Sequence, residues 1–374
     1  MSKKLSKQKL NDIITYGIVI AAFVIMQILI NAGEISSLFQ GLMVPLCTYI
    51  ILAISLNLVV GILGELSLGH AGFMCVGAFT SSFFSKAMQD TITNSTVRFL
   101  LALLIGIITA AIFGIIIGIP VLRLNGDYLA IVTLAFGEII KNLVNVLFIG
   151  KDSKGFHFST KDAVSLNMEP DGKIILNGPQ GITGTPNDST FFIGFILILV
   201  TLFIVLNLIH SRDGRAIMAI RDNRIAAESI GINITKYKLM TFTISAAMAG
   251  AAGVLYAHNL SNLTANTNNF GYNMSINILV FVVLGGIGNI RGSIIAAVVL
   301  TLLPELLRGM SDYRMLIYAI VLIVMMLFNW APKAIEWREK HLSFKKNIDQ
   351  VAVLRFRILP MGQRHHGSVL HRDG

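Results

Sequence analysis

The sequence predicts an all-α polytopic membrane protein, a bundle of about eight to ten transmembrane helices. Charged residues make up only 13% of the 374-residue chain, about half of the ~25% that is usual in a soluble domain. The hydrophobic residues are concentrated in runs of about 20, the length that a helix needs to cross a bilayer. A helix of a large soluble protein would need a polar face at helical spacing. Runs such as 13–30 and 191–209 have no such face.

Ten apolar runs are candidate crossings. The first follows a basic segment and resembles a signal peptide, but it is long for one and no small-residue cleavage site follows it, so an uncleaved first helix is expected. Runs 275–290 and 292–307 are short and interrupted by glycines, and they form either two crossings or one re-entrant hairpin. The ten runs are 13–31, 41–60, 65–85, 99–119, 128–149, 191–209, 239–257, 275–290, 292–307 and 313–330.

The distribution of positive charge predicts the orientation. The net charge is +10, and its residues gather in a few connections and at both ends, so the positive-inside rule accounts for them and nucleic-acid binding is not indicated. Segments 1–12 and 210–238 are basic, whereas 31–40 contains no Lys or Arg and 258–274 contains no charge. We therefore expect both termini and the loop 210–238 in the cytoplasm, and the long segment 150–190 outside.

This pattern predicts three regions. Residues 1–12 form a basic cytoplasmic tail and residues 13–330 the transmembrane domain, with the external loop 150–190 and the cytoplasmic loop 210–238. Residues 331–374 form a second basic cytoplasmic tail, expected to be disordered after about 347 because it is polar and lacks periodicity.

No catalytic or metal-binding residues are predicted. Cys47 and Cys75 lie in apolar runs without metal-ligand neighbours, so neither a disulfide nor a zinc site is indicated. The chain has no GxxxxGK[ST] phosphate-binding loop and no nucleophile–base arrangement. It is therefore not expected to be an enzyme or to obtain energy from ATP by itself.

The segment 64–77 is unlike an ordinary membrane helix. It places Glu65, Ser67 and His70 within six residues of a predicted crossing, and such groups usually face a bundle interior or a watery path because burial in lipid costs a few kcal/mol. Its glycines allow either close helix contact or a break in the helix. A path-lining role is favoured over simple packing glycines at a helix start. The candidate residues are Glu65, Ser67, Gly69, His70 and Gly72.

Weaker candidates lie in two other runs. Glu138 is a second possible path residue, but Lys141, three residues later, can pair with it on one helix face, so a structural ion pair is expected at least as strongly. A substrate role and simple packing are equally expected for the glycines of segment 284–292, which are Gly285, Gly286 and Gly288. Gly114 and Gly118 form a GxxxG pair that indicates helix packing only.

The loop 213–231 predicts two short amphipathic helices. Asp222 or Asn223 can cap the second helix, and Gly231 is suited to end it. The small residues Ala226 and Ala227 would let this helix fit deeply into a groove of another protein. Two alternatives to a protein-binding helix are a helix that lies on the lipid surface and a plain basic loop. The apolar face of the first helix consists of Ala216, Ile217 and Ile220.

Several of these segments resemble, in order, the permeases of high-affinity leucine/isoleucine/valine uptake systems, the LivM type of ABC importer permease. The resemblance runs from about residue 41 to about residue 330. The Ala226-Ala227-x-x-x-Gly231 spacing looks like the core of the ATPase-docking loop of bacterial ABC importer permeases, with Ile225 where Glu is typical. The matching segments are LGELSLGHAGFMCVG (63–77), LRLNGDYLAIVTLAFGE (122–138), GPQGI (178–182), residues 214–231, VVLGGIGNIRG (282–292) and LLPELLR (302–308).

The resemblance implies a permease subunit of an ATP-driven importer, forming the translocation path for branched-chain amino acids in a bacterial plasma (inner) membrane. It implies a homologous second permease chain, two ATP-binding subunits and an extracytoplasmic substrate-binding protein. ATP and Mg would be bound by the ATP-binding partners, and no cofactor by this chain. The ATPase-coupling loop would consist of Gly214, Arg215, Arg221, Ala226, Ala227, Glu228 and Gly231.

Two alternatives stay open from the sequence. Urea and short-chain amide importers use similar permeases, and nothing in these residues separates the two kinds of path. A stand-alone secondary transporter or channel would instead use Glu65, His70 or Glu138 as ion or proton sites.

Overall fold

The computed structural model describes residues 2–33, 36–124, 126–170 and 172–307, and a few positions between 316 and 327. All contacts discussed below lie within residues 1–318, one of two compact units into which the chain divides. The predicted crossing 313–330 lies largely, and the tail 331–374 wholly, outside the described residues. Of the other predicted regions, residues 2–12 form the beginning of the first helix.

Twelve α-helices are present in the described ranges, and six helical segments are long and apolar enough to cross a membrane. The six are Asp12–Asn31, Phe39–Leu63, Ser95–Val121, Asp127–Val146, Phe191–His210 and Ile234–Ala257. The helices are α1 (Ser2–Asn31), α2 (Ser37–Asn57), α3 (His70–Ala87), α4 (Ser95–Val121), α5 (Asp127–Val146), α6 (Phe191–His210), α7 (Arg212–Asp222), α8 (Arg224–Ser229), α9 (Ile234–Ala257), α10 (Thr267–Phe270), α11 (Tyr272–Gly285) and α12 (Ile290–Leu306). The membrane-helix prediction is confirmed for these six spans.

Short polar side chains fix where several helices begin. The side chain of Asn94 accepts hydrogen bonds from the first backbone N–H groups of α4, and Thr190, Ser211 and Asn233 do the same for α6, α7 and α9. These caps satisfy N–H groups that lack an intrahelical partner. Helices α4 and α6 begin and end within four residues of the predicted crossings 99–119 and 191–209, whereas α1 begins 11 residues before the predicted start at 13.

Small residues let α3, α4 and α9 pack closely at the centre of the bundle. A methyl group added at Gly77 of α3 would lie 2.3 Å from the carbonyl oxygen of Gly250 in α9, and one added at Gly253 would lie 2.1 Å from that of Met74. Close backbone approach of this kind is typical of membrane helices. Gly114 packs similarly against Ala246, which confirms the packing interpretation of the GxxxG pair.

The prediction of an all-α protein was wrong in one region. Segment 148–177 forms an antiparallel sheet in the order β2-β1-β3, from β1 (Phe148–Asp152), β2 (Gly155–Ser159) and β3 (Lys173–Asn177). A second, two-stranded sheet pairs β4 (Ile182–Thr183) with β5 (Asn262–Leu263). The strands are so short that their alternation is hidden among polar and glycine residues. The turns expected at 177–181 are present, with Gly178 and Gly181 at positive φ.

Candidate functional site

The chain breaks its helical path between α2 and α3, which is one of the two arrangements that the glycines of segment 64–77 allow. The helix of α2 continues as a π-helical segment, Leu58–Leu63, which ends at Gly64 in a left-handed conformation (φ +80°). Residues 64–69 are then non-helical, and α3 begins at His70. A glycine is needed at position 64 both for its positive φ and because the Cγ atom of Arg221 would lie 2.5 Å from an added methyl group.

The non-helical segment is held against α5 by backbone contacts. The backbone N–H of Leu68 donates to the Thr133 hydroxyl (3.0 Å), and a methyl group added at Gly69 would lie 2.6 Å from the Thr133 carbonyl oxygen. Gly72 lies against Gly137 in the same way. The predicted glycines therefore permit close packing here, while Ser67 is fully buried and its hydroxyl has no hydrogen-bond partner among the described residues.

His70 lies at the start of α3 and is buried against α9. Its Nε2 atom forms a hydrogen bond with the Ser245 hydroxyl (2.9 Å), and Ser245 donates in turn to the carbonyl oxygen of Ser55 in α2 (2.6 Å). The Nδ1 atom of His70 is buried without a hydrogen-bond partner in the described part of the chain. The break thus brings polar groups from α2, α3 and α9 together inside the bundle.

Glu65, the charged residue of the break, forms an ion pair with Lys238 near the start of α9. The side chains are 15% and 4% exposed. The pair borders a cavity of about 350 Å³, which is also lined by Asp127, Asp222 and Arg224. From the sequence, Lys238 was assigned only to the positive charge of its loop, and no local pattern marks it as the partner of Glu65.

Arg221 of α7 reaches the C-terminal end of the π-helical segment. Its guanidinium donates to the carbonyl oxygen of Gly61 (3.0 Å) and forms a salt bridge with Asp222 (3.2 Å). The last carbonyl groups of a helix lack intrahelical partners, and Arg221 satisfies one of them. The predicted coupling loop is therefore linked directly to the helix break.

Helices α7 and α8 form the predicted pair of short helices. Asn223 caps α8 by accepting a hydrogen bond from the backbone N–H of Ala226 (3.1 Å), and Gly231 follows α8 with φ +85°. Gly214 allows the tight turn after α6, since an added methyl group would lie 2.1 Å from the Leu208 carbonyl oxygen. Arg215 is exposed and donates to the His210 carbonyl oxygen (3.2 Å).

The expectation that both central alanines of α8 face another protein was wrong for Ala227. Ala227 is 2% exposed and packs with Ile220 and Ile234 of its own chain, whereas Ala226 and Glu228 are exposed. The side chains that α8 presents outward also include Ile225 (81% exposed) and Ile230 (75% exposed). In the sequence, Ile225 stands out only as a departure from a motif, and no local signal marks Ile230.

Helices α11 and α12 form a tight hairpin whose turn contacts the π-helical segment. Gly286 and Gly288 have positive φ values, and the backbone of Gly285 lies directly against Gly292. The predicted glycines therefore serve the turn and the close packing. The backbone N–H of Gly288 donates to the Oδ1 atom of Asn57 (2.8 Å).

Asn57 is a site residue that sequence reasoning missed. Its side chain is fully buried, and besides accepting from the hairpin turn it donates to the Ser293 hydroxyl in α12 (2.9 Å). The available signal was an amide within the apolar run 41–60, because a polar side chain in a membrane helix usually has an interhelical partner.

Glu138 and Lys141 form the expected ion pair (2.5 Å). Lys141 also donates to the Thr267 hydroxyl (3.2 Å), and Glu138 accepts from the backbone N–H of Tyr272 (2.8 Å) at the beginning of α11. A carboxylate at a helix N-terminus is electrostatically favourable. The geometry therefore favours the structural interpretation over a path role. No group of three His, Cys, Asp or Glu side chains within the described ranges could hold a metal ion.

Comparison with known proteins identifies the family. Residues 37–328 match the family described as branched-chain amino acid transport system / permease component. The chain is 35% identical to the high-affinity branched-chain amino acid transport system permease protein LivM of Salmonella typhimurium, over 77% of this chain and 67% of the relative. It is 26% identical to LivH of the same organism, over 75% and 89% respectively.

A more distant relative transports another class of solute. The fructose import permease protein FruG of Bifidobacterium longum is 25% identical over 82% of this chain and 85% of its own length. No solved structure matches the chain. The family match covers most of the chain, and the chain belongs to the branched-chain amino acid permease family, as a multi-pass membrane subunit of a bacterial ABC transport system.

Proposed function

We propose that this permease forms the translocation path for branched-chain amino acids in an ATP-driven importer and receives its driving motion through the loop 214–231. The observation that carries the proposal is the form of α8, a short capped helix fixed to the bundle on one face and exposed on the other. A helix that presents Ile225 and Ile230 to the outside, next to the small Ala226, is suited to a partner's groove.

The ATP-binding subunit is the partner that fits this surface. Burial of one isoleucine side chain contributes about 1.5–3 kcal/mol, so Ile225 and Ile230 together can supply a substantial part of a protein–protein contact. On the inner face, Ala227 packs with Ile220 and Ile234, and these contacts hold α8 to the body of the chain. A force on α8 is therefore passed to α7 and α9 rather than lost in a flexible loop.

The helix directions support the proposed orientation. Helix α6 leads from the sheet region to α7, and α9 leads from α8 back to β5. Each is a candidate span, about 30–36 Å long at 1.5 Å per residue. These directions support a placement of the sheets and α8 on opposite sides of the membrane, with α8 in the cytoplasm and the sheets outside. Cytoplasmic termini and a total of eight to ten crossings belong to the same proposal.

The three-stranded sheet β2-β1-β3 (the outer sheet) is the proposed contact for the substrate-binding protein. Strand β2 presents Phe158 (66% exposed) outward, and Val164 beyond it is 84% exposed. Lys154 and Glu169 form an exposed salt bridge nearby (2.9 Å). Exposed apolar side chains surrounded by charges are typical of a protein–protein contact rather than of a lipid surface.

Branched-chain amino acids are the favoured substrate because the identity to LivM (35%) exceeds the identity to the fructose permease (25%). The buried break around Ser67 and His70 offers hydroxyl and imidazole groups to a polar substrate within an otherwise apolar bundle. Urea or a short-chain amide stays the alternative cargo.

The chain alone is not favoured as an ion-driven transporter or channel. Glu65 is paired with Lys238, and Glu138 with Lys141, so neither carboxylate lies free in a path. A paired carboxylate stabilises helix packing, whereas an ion-coupling site needs a carboxylate that can release its partner.

Reconstitution tests the proposed function. The permease is placed in liposomes with its partner permease, the ATP-binding subunits and the binding protein, and uptake of labelled leucine, urea and fructose is measured. We expect leucine uptake only when ATP is present on the side of the vesicle membrane that carries the ATP-binding subunits. Uptake by this chain alone under an ion gradient, or urea uptake without leucine uptake, would contradict the proposal.

A further inference from the structure

One contact between helix α7 and the helix break is made by Arg221. The stem of Arg221 lies along Gly64, and its guanidinium donates to the carbonyl oxygen of Gly61 (3.0 Å). Asp222 accepts from the same guanidinium (3.2 Å) and so restricts its orientation. The Arg221 side chain thereby links α7 to a backbone atom of the π-helical segment.

The opposite side of the same π-helical turn meets the α11–α12 hairpin. A methyl group added at Gly61 would lie 2.4 Å from the backbone nitrogen of Gly288. Asn57 accepts from that nitrogen (2.8 Å) and donates to Ser293 (2.9 Å). Asn57 therefore joins the end of α2 to the hairpin turn and to α12, and Gly61 contacts α7 and the hairpin turn at once.

We propose that the π-helical segment Leu58–Leu63 transmits the movement of α7 to the α11–α12 hairpin, with Arg221 and Asn57 as the positioning residues at its two ends. The inference rests on the proposed function, which supplies the force on α8. Arg221 binds a backbone oxygen of the segment and Asn57 binds a backbone nitrogen of the hairpin turn, so a displacement of α7 would act on the segment through the Arg221 side chain.

Such transmission needs an element with two arrangements, and we assign this role to the π-helical segment Leu58–Leu63. A π-turn differs from an α-turn by a shift of its hydrogen bonds from i→i+5 to i→i+4, and π-turns within helices are frequent at functional sites. Conversion of Leu58–Leu63 between the two forms would rotate Gly61 and carry with it the hairpin turn that packs on it. The hairpin would then open or close the bundle.

The test uses the complete reconstituted complex and measures leucine uptake and ATP hydrolysis in the same vesicles. Arg221→Met keeps the unbranched stem over Gly64 but removes the donor, and Asn57→Leu keeps the volume but removes both hydrogen bonds. Arg212→Met is the matched control, because Arg212 is an exposed arginine of the same helix. Arg221→Lys restores a cationic donor.

We expect leucine uptake per ATP hydrolysed to fall at least ten-fold in Arg221→Met and in Asn57→Leu, and to recover partly in Arg221→Lys. Arg212→Met should keep the parental ratio. In the double variant, leucine uptake per ATP hydrolysed should fall no further than in either single variant, because the two substitutions interrupt the same series of contacts. Parental ratios in both single variants, with leucine transport intact, would overturn the transmission while leaving the proposed function in place.

A distance measurement on the complex decides the case even where a variant fails to assemble. Spin labels are placed at Ile287 in the hairpin turn, Arg212 in α7 and Val164 beyond β2, all exposed positions. ATP binding should change the Ile287–Val164 distance by about 2–5 Å and leave the Ile287–Arg212 distance unchanged. A change in the Arg212–Val164 distance with a constant Ile287–Val164 distance would show that α7 moves without the hairpin. Absence of any ATP-dependent leucine uptake by the parental complex would instead contradict the proposed function.

Discussion

Ion pairs occur both at the end of the bundle that carries α7 (the α7 end) and at the end that carries the sheets (the sheet end), but they differ in their exposure to solvent. At the α7 end, the ion pair of Glu65 and Lys238 is largely buried, and Arg221 and Asn57 bind backbone atoms of neighbouring elements. At the sheet end, the pair of Lys173 and Asp90 is about three-quarters exposed. Breaking the buried ion pair of Glu65 and Lys238 is costly because it leaves an uncompensated charge, whereas solvent weakens the exposed pair at the sheet end. This difference supports the proposal that the α7 end transmits movement and that the sheet end meets a partner.

The largest effect is expected where α8 is anchored. Ala227→Trp places a large ring in a site that is 2% exposed between Ile220 and Ile234, so α8 should be forced away from α9. We expect leucine uptake to be abolished and the ATP-binding subunit to be lost on co-purification, with membrane insertion intact. Ala32→Trp, at an exposed alanine at the end of α1, is the control. Normal uptake by Ala227→Trp would contradict the anchoring of α8.

The second effect concerns the buried ion pair. Lys238→Met leaves the Glu65 carboxylate without its partner at a site with little exposure, which costs about 3–5 kcal/mol. The free energy of unfolding in detergent should fall by that order, and Glu65→Gln combined with Lys238→Met should restore much of it. Lys173→Met at the exposed sheet-end pair is the matched control, with an expected change of less than about 1 kcal/mol. Equal losses in the two single lysine variants would contradict the contrast between the two ends.

A third, smaller effect is expected at the break between α2 and α3. Gly69→Leu brings a side chain against the Thr133 carbonyl oxygen, 2.6 Å from an added methyl group. We expect leucine uptake to fall several-fold while the protein still reaches the membrane. Gly17→Leu is the control, since nothing lies within 4 Å of a methyl group added there. Unchanged uptake in Gly69→Leu would argue against close packing of the break on α5.

The smallest effect is a pH dependence at the sheet end. Burial raises the pKa of Asp152, but hydrogen bonds from the backbone N–H groups of Lys154 and Glu169 and from the His157 ring outweigh it, so the pKa is lowered from 3.8. A lowered folded-state pKa gives stability that is present above pH ~4 and is lost as the pH falls through the folded-state value.

Limited proteolysis of segment 148–177 measures this dependence. Cleavage should increase below pH ~4 in the parental chain, and Asp152→Asn should show faster cleavage already at neutral pH with less further change. Asp90→Asn, which alters an exposed carboxylate, is the control. A parental cleavage rate that is independent of pH down to pH ~3 would contradict the role of Asp152.

Local sequence signals were enough for the helices but not for their contacts. Apolar runs of about 20 residues gave the six long spans, because the length needed to cross a bilayer is fixed. The Gly-rich segment 64–77 and the capping residue Asn223 were also identified, since each acts on its own neighbours in the chain. The family resemblance was confirmed by the match over residues 37–328.

Contacts between distant residues were not accessible in the same way. Lys238 lies 173 residues from Glu65, and Gly288 lies 231 residues from Asn57, so no local pattern could pair them. The inward orientation of Ala227 depends on Ile220 and Ile234 of neighbouring helices. The outer sheet was missed because strands of five residues or fewer carry too little periodicity.

The location and partner of α8 are tested most directly by labelling a single cysteine at Ile230, which is 75% exposed, while the native Cys47 and Cys75 are buried. A membrane-impermeant maleimide is added to inside-out and to right-side-out vesicles, with and without the ATP-binding subunits. We expect labelling only in inside-out vesicles, and protection of Ile230→Cys when the ATP-binding subunits are bound. Labelling in right-side-out vesicles, or no protection by the bound subunits, would contradict it.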